Sequence, residues 1–297
     1  MSQDYLPSCL EKCLLDKEQF SRAYNIISAR NRAWLKKHIA ELSKWYNYHN
    51  YPLKHEIRKH SWTQGWNTVI SKRPIDSVLV VLYPGFTSPA QLLSAVLPPK
   101  IAGVDRVLVC CCSQESGNWQ ESVLLALELA GVEEVYDFSC EQLKILLEKI
   151  KSLGQLTKLL HINSVNNFSF DPFYNLATPK DIIFLNSPQK CGIWLNDGEI
   201  PDIEALHFAH PDMYLQFWSQ DSKSLQSIST EYDQYTGTWE DFCNCNFDLV
   251  FAPSHLHMQL LSRFSLVLTP GEECFWIWPD LFLHRFETCG LAFSKGS

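Results

Sequence analysis

The chain has 297 residues, 46% apolar and 13% aromatic, which is enough to bury a large core and too apolar for a disordered chain. Its formal net charge is −8 with Lys and Arg scattered, which excludes the basic footprint of a nucleic-acid binder and disfavours an anionic membrane surface. No run reaches the roughly 18 apolar residues of a spanning helix. The first residues, with an early Asp4 and no basic stretch before an apolar run, do not read as a signal peptide, so a cytoplasmic location is expected.

Eleven cysteines are an odd number, and in an unexported chain of this size reduced thiols are expected. There is no C-x-x-C, and Cys243-Asn244-Cys245 is tighter than the usual zinc knuckle. Cys110, Cys111 and Cys112 fall in an apolar run and read as packing cysteines on a strand, with neighbours on opposite faces.

In chain order, residues 9–48 repeat apolar side chains at three and four spacing (Leu10, Leu14, Phe20, Tyr24, Ile27, Trp34, Ile39, Leu42), which predicts helix. Residues 49–74 are basic and aromatic; His55, Arg58, Lys59 and His60 read as a solvated helix face more readily than as an anion site. Ser77–Leu82 is a continuous apolar run, expected as a strand buried on both faces. Tyr83-Pro84-Gly85 ends it, Ser88 caps a helix from Pro89 to Ala102, and Arg106–Cys112 is the next strand. A helix to Ala130 closed by Gly131, a strand Glu134–Phe138, a helix over 140–152 and a strand Lys158–Ile162 follow. Strands alternating with such helices imply βαβ crossovers and a parallel sheet.

The second half is less regular. Strands are expected at Asp181–Leu185, Gly192–Leu195, Met213–Trp218, Leu249–Ala252 and Ser265–Leu268, with helices at Asp202–Ala209 and His255–Arg263. This predicts three parts: an N-terminal helical segment over 1–70, a Rossmann-type unit over 71–195, and a smaller α/β unit over 196–297.

Neither G-x-G-x-x-G, G-x-x-x-x-G-K-[ST] nor G-x-S-x-G is present. Gly85, ahead of a helix N-terminus, is the best candidate for close backbone approach to an anion. Histidines gather late: His207, His210, His255, His257 and His284, with Asp212, Glu272, Glu273 and Glu287 nearby in sequence. His207 and His210 are three apart, a spacing that puts both on one helix face and suits a zinc pair if further ligands converge. His255 and His257 follow Ala252-Pro253, where a strand would end, and strand ends are where sites form in open α/β sheets. From spacing alone, surface or partly satisfied core histidines are the better reading.

Three pieces, in order and in spacing, resemble the histidinol dehydrogenase family. They are Arg73-Pro74-Ile75 through Tyr83-Pro84-Gly85, Leu97 through Gly103 to Cys110, and Leu127 through Gly131 to Tyr136. Gln142 falls where the family's GGAQ motif ends. Later, Leu195 through Asp202 is similar to the family's strand and helix start. Leu206-His207-Phe208-Ala209-His210-Pro211-Asp212 is similar to SQAEHGPDS, and Ala252-Pro253-Ser254-His255-Leu256 to GPEHL.

The resemblance implies two Rossmann-type parallel-sheet units of aldehyde-dehydrogenase-like type behind the N-terminal helices, and a homodimer. It implies oxidation of an alcohol such as L-histidinol through an aldehyde by NAD, with zinc orienting the substrate. By that resemblance Tyr83, Gly85 and Gln142 lie at the cofactor, His207 and His210 at the metal, and His255 is the catalytic base.

The departures point the other way. Ser254 stands where the family has a Glu, and a hydroxyl does not titrate near neutrality. Pro188-Gln189-Lys190-Cys191 replaces GPSE, and His161-Ile162-Asn163-Ser164 replaces GPGN. The motif carrying the zinc Asp is not recognisable around Phe282–Cys289, and the sequence stops before the segment that carries the family's last zinc His. A catalytically inactive relative that binds or scaffolds is therefore the alternative. A reductase using Cys274 or Cys289 as nucleophile is a third reading.

Overall fold

The computed structural model describes residues 7–47, 55–112, 119–163, 181–195 and 200–295. The N-terminal helical stretch is divided by its own caps. A 3-10 turn over Ser8–Cys13 gives way to extended chain, where Leu15 N–H donates to Val135 O at 2.9 Å. Asp16 then caps helix α1 (Lys17–Ile26) through Glu18 N–H. Ser28 Oγ accepts from Asn31 N–H at the start of α2 (Ala29–Asn47).

The helix face expected around residues 55–60 is instead a strand. β1 (Glu56–Trp62) and β2 (Trp66–Pro74) form an antiparallel hairpin, with Gly65 at φ +83° in the turn. Its third strand, β13 (Glu287–Lys295), comes from the far end of the chain, which no local pattern announces.

The first parallel sheet follows the predicted alternation: β3 (Ser77–Leu82), α3 (Pro89–Ile101), β4 (Arg106–Cys112), α4 (Glu121–Ala130), β5 (Glu134–Phe138), α5 (Cys140–Ser152), β6 (Thr157–Asn163) and β7 (Ile182–Asn186). All six residues of β3 are buried, as a strand covered on both faces requires. The strand order is β5-β4-β3-β6-β7, all parallel, with Leu79 beside Leu108 and Leu159. α3 runs on through Pro98 and Pro99, and Gly131 takes the left-handed cap that ends α4. Cys110 and Cys112 share one apolar cluster with Phe138 and Leu146, while Cys111 turns the other way.

The second unit contains β8 (Lys190–Trp194), α6 (Ile203–Ala209), β9 (Tyr214–Ser219), α7 (Ser222–Leu225), β10 (Asp233–Thr236), α8 (Trp239–Cys243), β11 (Leu249–Phe251), α9 (His257–Leu260) and β12 (Val267–Leu268). Its order, β10-β9-β8-β11-β12, repeats that of the first sheet: the first strand is central, two follow on one side and two on the other. The helix expected over His255–Arg263 is a 3-10 turn, Ser254–Leu256, followed by the single turn of α9. The last strand, β13 (Glu287–Lys295), leaves this unit and pairs antiparallel with β2. Among the described residues no helix is long and apolar enough to cross a membrane.

One core cluster joins the units, running from Leu35 and Leu42 of α2 through Leu92 and Val96 of α3 to Leu206, Trp276 and Trp278.

Candidate functional site

In a sheet of this order the crevice lies outside the C-terminal ends of the central strands, where the connections diverge to opposite sides. In the first sheet that end carries Tyr83, directly after β3. Phe86 N–H donates to Tyr83 O at 3.2 Å, closing a turn with Pro84 and Gly85 at its corners. Gly85 has φ +82°, and a Cβ there would meet nothing within 4 Å, so glycine is required by backbone conformation and the space before it is open.

Asp212, just beyond α6, reaches across from the second unit. Its Oδ2 accepts from Tyr83 OH at 3.3 Å and from Thr87 Oγ1 at 2.5 Å. Burial, and then the Asp212 charge beside it, push the Tyr83 phenol up to about 12, so it is a neutral donor at physiological pH. The thiol of Cys111 donates to Tyr83 O at 3.8 Å, and burial pushes it up to about 12 as well. Asn163 Oδ1, at the end of β6, is buried without a hydrogen-bond partner, and Ser187, just past β7, bonds to the Tyr83 side chain. An acid, hydroxyls linked around it and a free amide oxygen thus stand at the C-terminal end of this sheet.

The start of α3 does not offer its N–H groups to an anion. Ser88, Pro89 and Ala90 are buried, and Ser88 Oγ accepts from Gln91 N–H and donates to Ala209 O at 2.7 Å. The Asp212 carboxylate adds negative charge beside the turn. Gln142 is taken up by a capping box: Ser139 N–H donates to its Oε1 at 2.8 Å, its own N–H donates to Ser139 Oγ, and its Nε2 donates to Cys13 Sγ.

The histidines are dispersed. His255 stands exposed in the 3-10 turn after β11, at the C-terminal end of a central strand of the second sheet. His257 Nε2 faces Ala252 O at 3.2 Å, and His284 stacks on Phe282. His207 is exposed on α6, 2.7 Å from Tyr232 OH and stacked on that ring. His210, one residue past the helix, is only 1% exposed and lies edge-on to Trp276 at 5.9 Å. Burial lowers its pKa to about 4, against the opposing pull of the Glu273 and Phe275 backbone. The pair that spacing places on one helix face is thus split between surface and core. Among the described residues no three His, Cys, Asp or Glu side chains gather as a metal site. This donor set does not fit zinc.

Neither candidate thiol lies at a crevice helix terminus. Cys274 is buried, donates to Ala205 O at 3.7 Å, and is pushed up to about 12 by burial. Cys289 is exposed on β13, opposite Lys72. Sequence reasoning missed Thr87, Ser187 and the hub role of Asp212. The sequence marks Asp212 as a carboxylate near histidines and as the end of the stretch similar to SQAEHGPDS, and no spacing links it to residues 125 positions earlier.

Residues 3–142 match the family model described as Histidinol dehydrogenase. A histidinol dehydrogenase of Methanothermobacter thermautotrophicus is 39% identical over 66 residues, which is 22% of this chain and 15% of that relative. The matched stretch is therefore a small part of the curated protein's length. The solved histidinol dehydrogenase from Elizabethkingia anophelis superposes with a TM-score of 0.58 over 95% of this chain and 77% of its own, at 14% identity. An NAD-dependent benzaldehyde dehydrogenase from Corynebacterium glutamicum gives a TM-score of 0.51 over 94% of this chain and 84% of its own, at 10% identity. At such identities the structural likeness is one of fold alone. Over residues 3–142, under half of its length, the chain is similar to the histidinol dehydrogenases, and it is built on the aldehyde-dehydrogenase-like fold of two parallel α/β units.

Proposed function

We propose that this protein keeps the histidinol dehydrogenase scaffold as a ligand-binding module and does not carry out zinc-dependent oxidation of histidinol. The carrying observation is the fate of His210. The residue that resembles the family's zinc-binding His is enclosed against Trp276, while His207 is held at the surface by Tyr232. The ligand class is NAD or a related nucleotide, held through its ribose hydroxyls by Tyr83, Thr87 and Asp212 with its phosphates directed away from the buried start of α3, a reading supported by the doubly wound first sheet. NAD contributes a hydride acceptor wherever it is bound; here the chain's own groups orient its hydroxyls.

The test is NADH formation from NAD with L-histidinol and added zinc, alongside His255→Ala. No turnover above that control is expected; turnover that disappears in His255→Ala overturns the reading. A parallel titration of tryptophan fluorescence with NAD is expected to saturate. Tyr83→Phe, which removes one hydrogen bond, is expected to weaken binding by about tenfold.

The exposed His255 favours a second reading, an active NAD-dependent oxidoreductase in which this imidazole takes the alcohol proton. A cytoplasmic homodimer fits either reading. The dimer is supported by the family resemblance and by the β1-β2-β13 sheet, which exposes Ile57, Trp62, Leu291 and Phe293. Sedimentation at micromolar concentration separates dimer from monomer.

A further inference from the structure

α8 and α9 share one apolar cluster through Phe242 and Leu260, and between them runs a groove of about 350 Å³. Trp239, Glu240, Cys243 and Asn244 line it from α8 and its cap, and Gln259 and Arg263 from α9 and the turn after it. None of these residues belongs to the crevice around Asp212. The volume falls within the range of small-molecule sites, about 300–1,000 Å³.

The walls are fixed by the protein itself. The half-buried Trp239 ring is held edge-on to Trp194 at 5.0 Å and near-parallel to Phe242 at 5.7 Å. Arg263 Nη1 donates to Cys243 O at 3.1 Å and to Asn244 Oδ1 at 3.0 Å, which anchors the guanidinium at the C-terminal end of α8. Nε and Nη2 keep donors for another partner. Glu240 stands on the first turn of α8, three residues before Cys243, so roughly 5 Å along the helix axis separates it from the anchored guanidinium. Burial pushes the Cys243 thiol up, and of the charges beside it Arg263 pulls it down while Glu240 pushes it up, which places the thiol between the two. Among the described residues neither Glu240 nor Arg263 forms an ion pair.

A ligand carrying only negative charge is opposed by Glu240, and one carrying only positive charge is opposed by Arg263. A molecule with both charges a short distance apart satisfies both side chains, and the fixed indole offers its apolar part a surface to pack on. We propose that this groove binds a free α-amino acid with an apolar or aromatic side chain. Arg263 takes the carboxylate, Glu240 the ammonium and Trp239 the side chain. The site stands independently of the functional reading above.

Calorimetric titration of the full chain with L-phenylalanine, N-acetyl-L-phenylalanine and L-phenylalaninamide reads the two charges separately. Saturable binding of L-phenylalanine is expected, with either derivative weaker by about tenfold, the worth of one charge-assisted hydrogen bond. Glu240→Gln is expected to weaken L-phenylalanine by about the same factor and to leave the N-acetyl compound, which has no ammonium, unchanged. Arg263→Gln is expected to weaken L-phenylalanine and to leave the amide, which has no carboxylate, unchanged. No saturable binding of L-phenylalanine overturns the proposal. So do derivatives that bind as tightly as the free amino acid, or L-phenylalanine binding that neither variant weakens. Arg263→Gln also removes the anchor at the end of α8; if that variant fails to fold, Glu240→Gln, at an exposed position, decides the matter.

Discussion

In the first sheet the central strand β3 is buried along its whole length and covered by aliphatic helices. The matching strand of the second sheet, β8, gives its face to aromatic rings. Trp194 of β8 packs on Trp239 and Phe242, and Phe242 in turn meets Trp218, Phe247 and Phe264. Both sheets have the same strand order. The second is built on short strands, with β11 of three residues and β12 of two, so it has few ladder hydrogen bonds and few aliphatic positions. Large rings bury the most area per residue, and that is how a short-stranded unit completes a core. One topology is thus stabilised by length in one unit and by ring size in the other.

The sharpest way to break this comparison is Phe242→Ala. The side chain is fully buried at the centre of the ring cluster, and its loss is expected to cost about 3–5 kcal/mol in urea unfolding. A loss below about 1 kcal/mol would show that the rings do not hold the second unit.

Acid acts on the seam between the units. Burial lowers the pKa of His38 to about 3 and that of His210 to about 4, from 6.5 in the unfolded chain. The unfolded state therefore binds the extra protons, and stability is fully present above pH 6.5 and falls as pH drops towards these folded values. Two groups at about 1.4 kcal/mol per pH unit give a loss of roughly 3 kcal/mol at about pH 5.5. Denaturant midpoints across this range check the slope; a flat profile would mean that the seam hydrates its histidines.

The difference between the units also governs what the sequence reveals. The first sheet was legible because β3 is a continuous apolar run, Ser88-Pro89 marks a helix start and Gly131 a helix stop. Each of these signals is local. β10, with the sequence DQYT, carries no apolar period, and β13 is a strand only because β2 pairs with it, Thr288 opposite Arg73. β1 follows the same rule, so its basic residues read as a helix face until the hairpin is seen. The crevice divides in the same way. Tyr83 and Gly85 are visible from the strand-turn signal, whereas the role of Asp212 and the burial of His210 depend on how α6 packs against α3 and Trp276.

A smaller effect tests how tightly the rings fit. A Cβ added at Gly192 of β8 would lie 2.5 Å from two carbons of the Phe247 ring. That ring is itself wedged against Phe242 and Phe264, so it has little room to withdraw. Gly192→Ala is expected to destabilise by about 1–3 kcal/mol. If Phe247→Leu restores stability in the same chain, the clash is the cause; if it does not, the strand backbone itself is at fault.

The smallest effect belongs to the first unit, where the same kind of single change meets a tolerant site. Ser139 caps α5, and its side chain and that of Gln142 each satisfy a backbone N–H at the helix start. Ser139→Ala removes one of these bonds and leaves the four buried residues of the helix, Leu143, Leu146, Leu147 and Ile150, in place. The expected cost is about 1 kcal/mol, and Ser139→Asp is expected to recover it because a carboxylate caps as well and suits the helix dipole. Hydrogen exchange of the first-turn amides of α5 is the direct measurement. Faster exchange confined to that turn means the long-stranded sheet absorbs a local loss, which the ring-packed unit cannot do at Gly192. Exchange that accelerates throughout α5 would make the two units equally brittle and remove the distinction drawn from their cores.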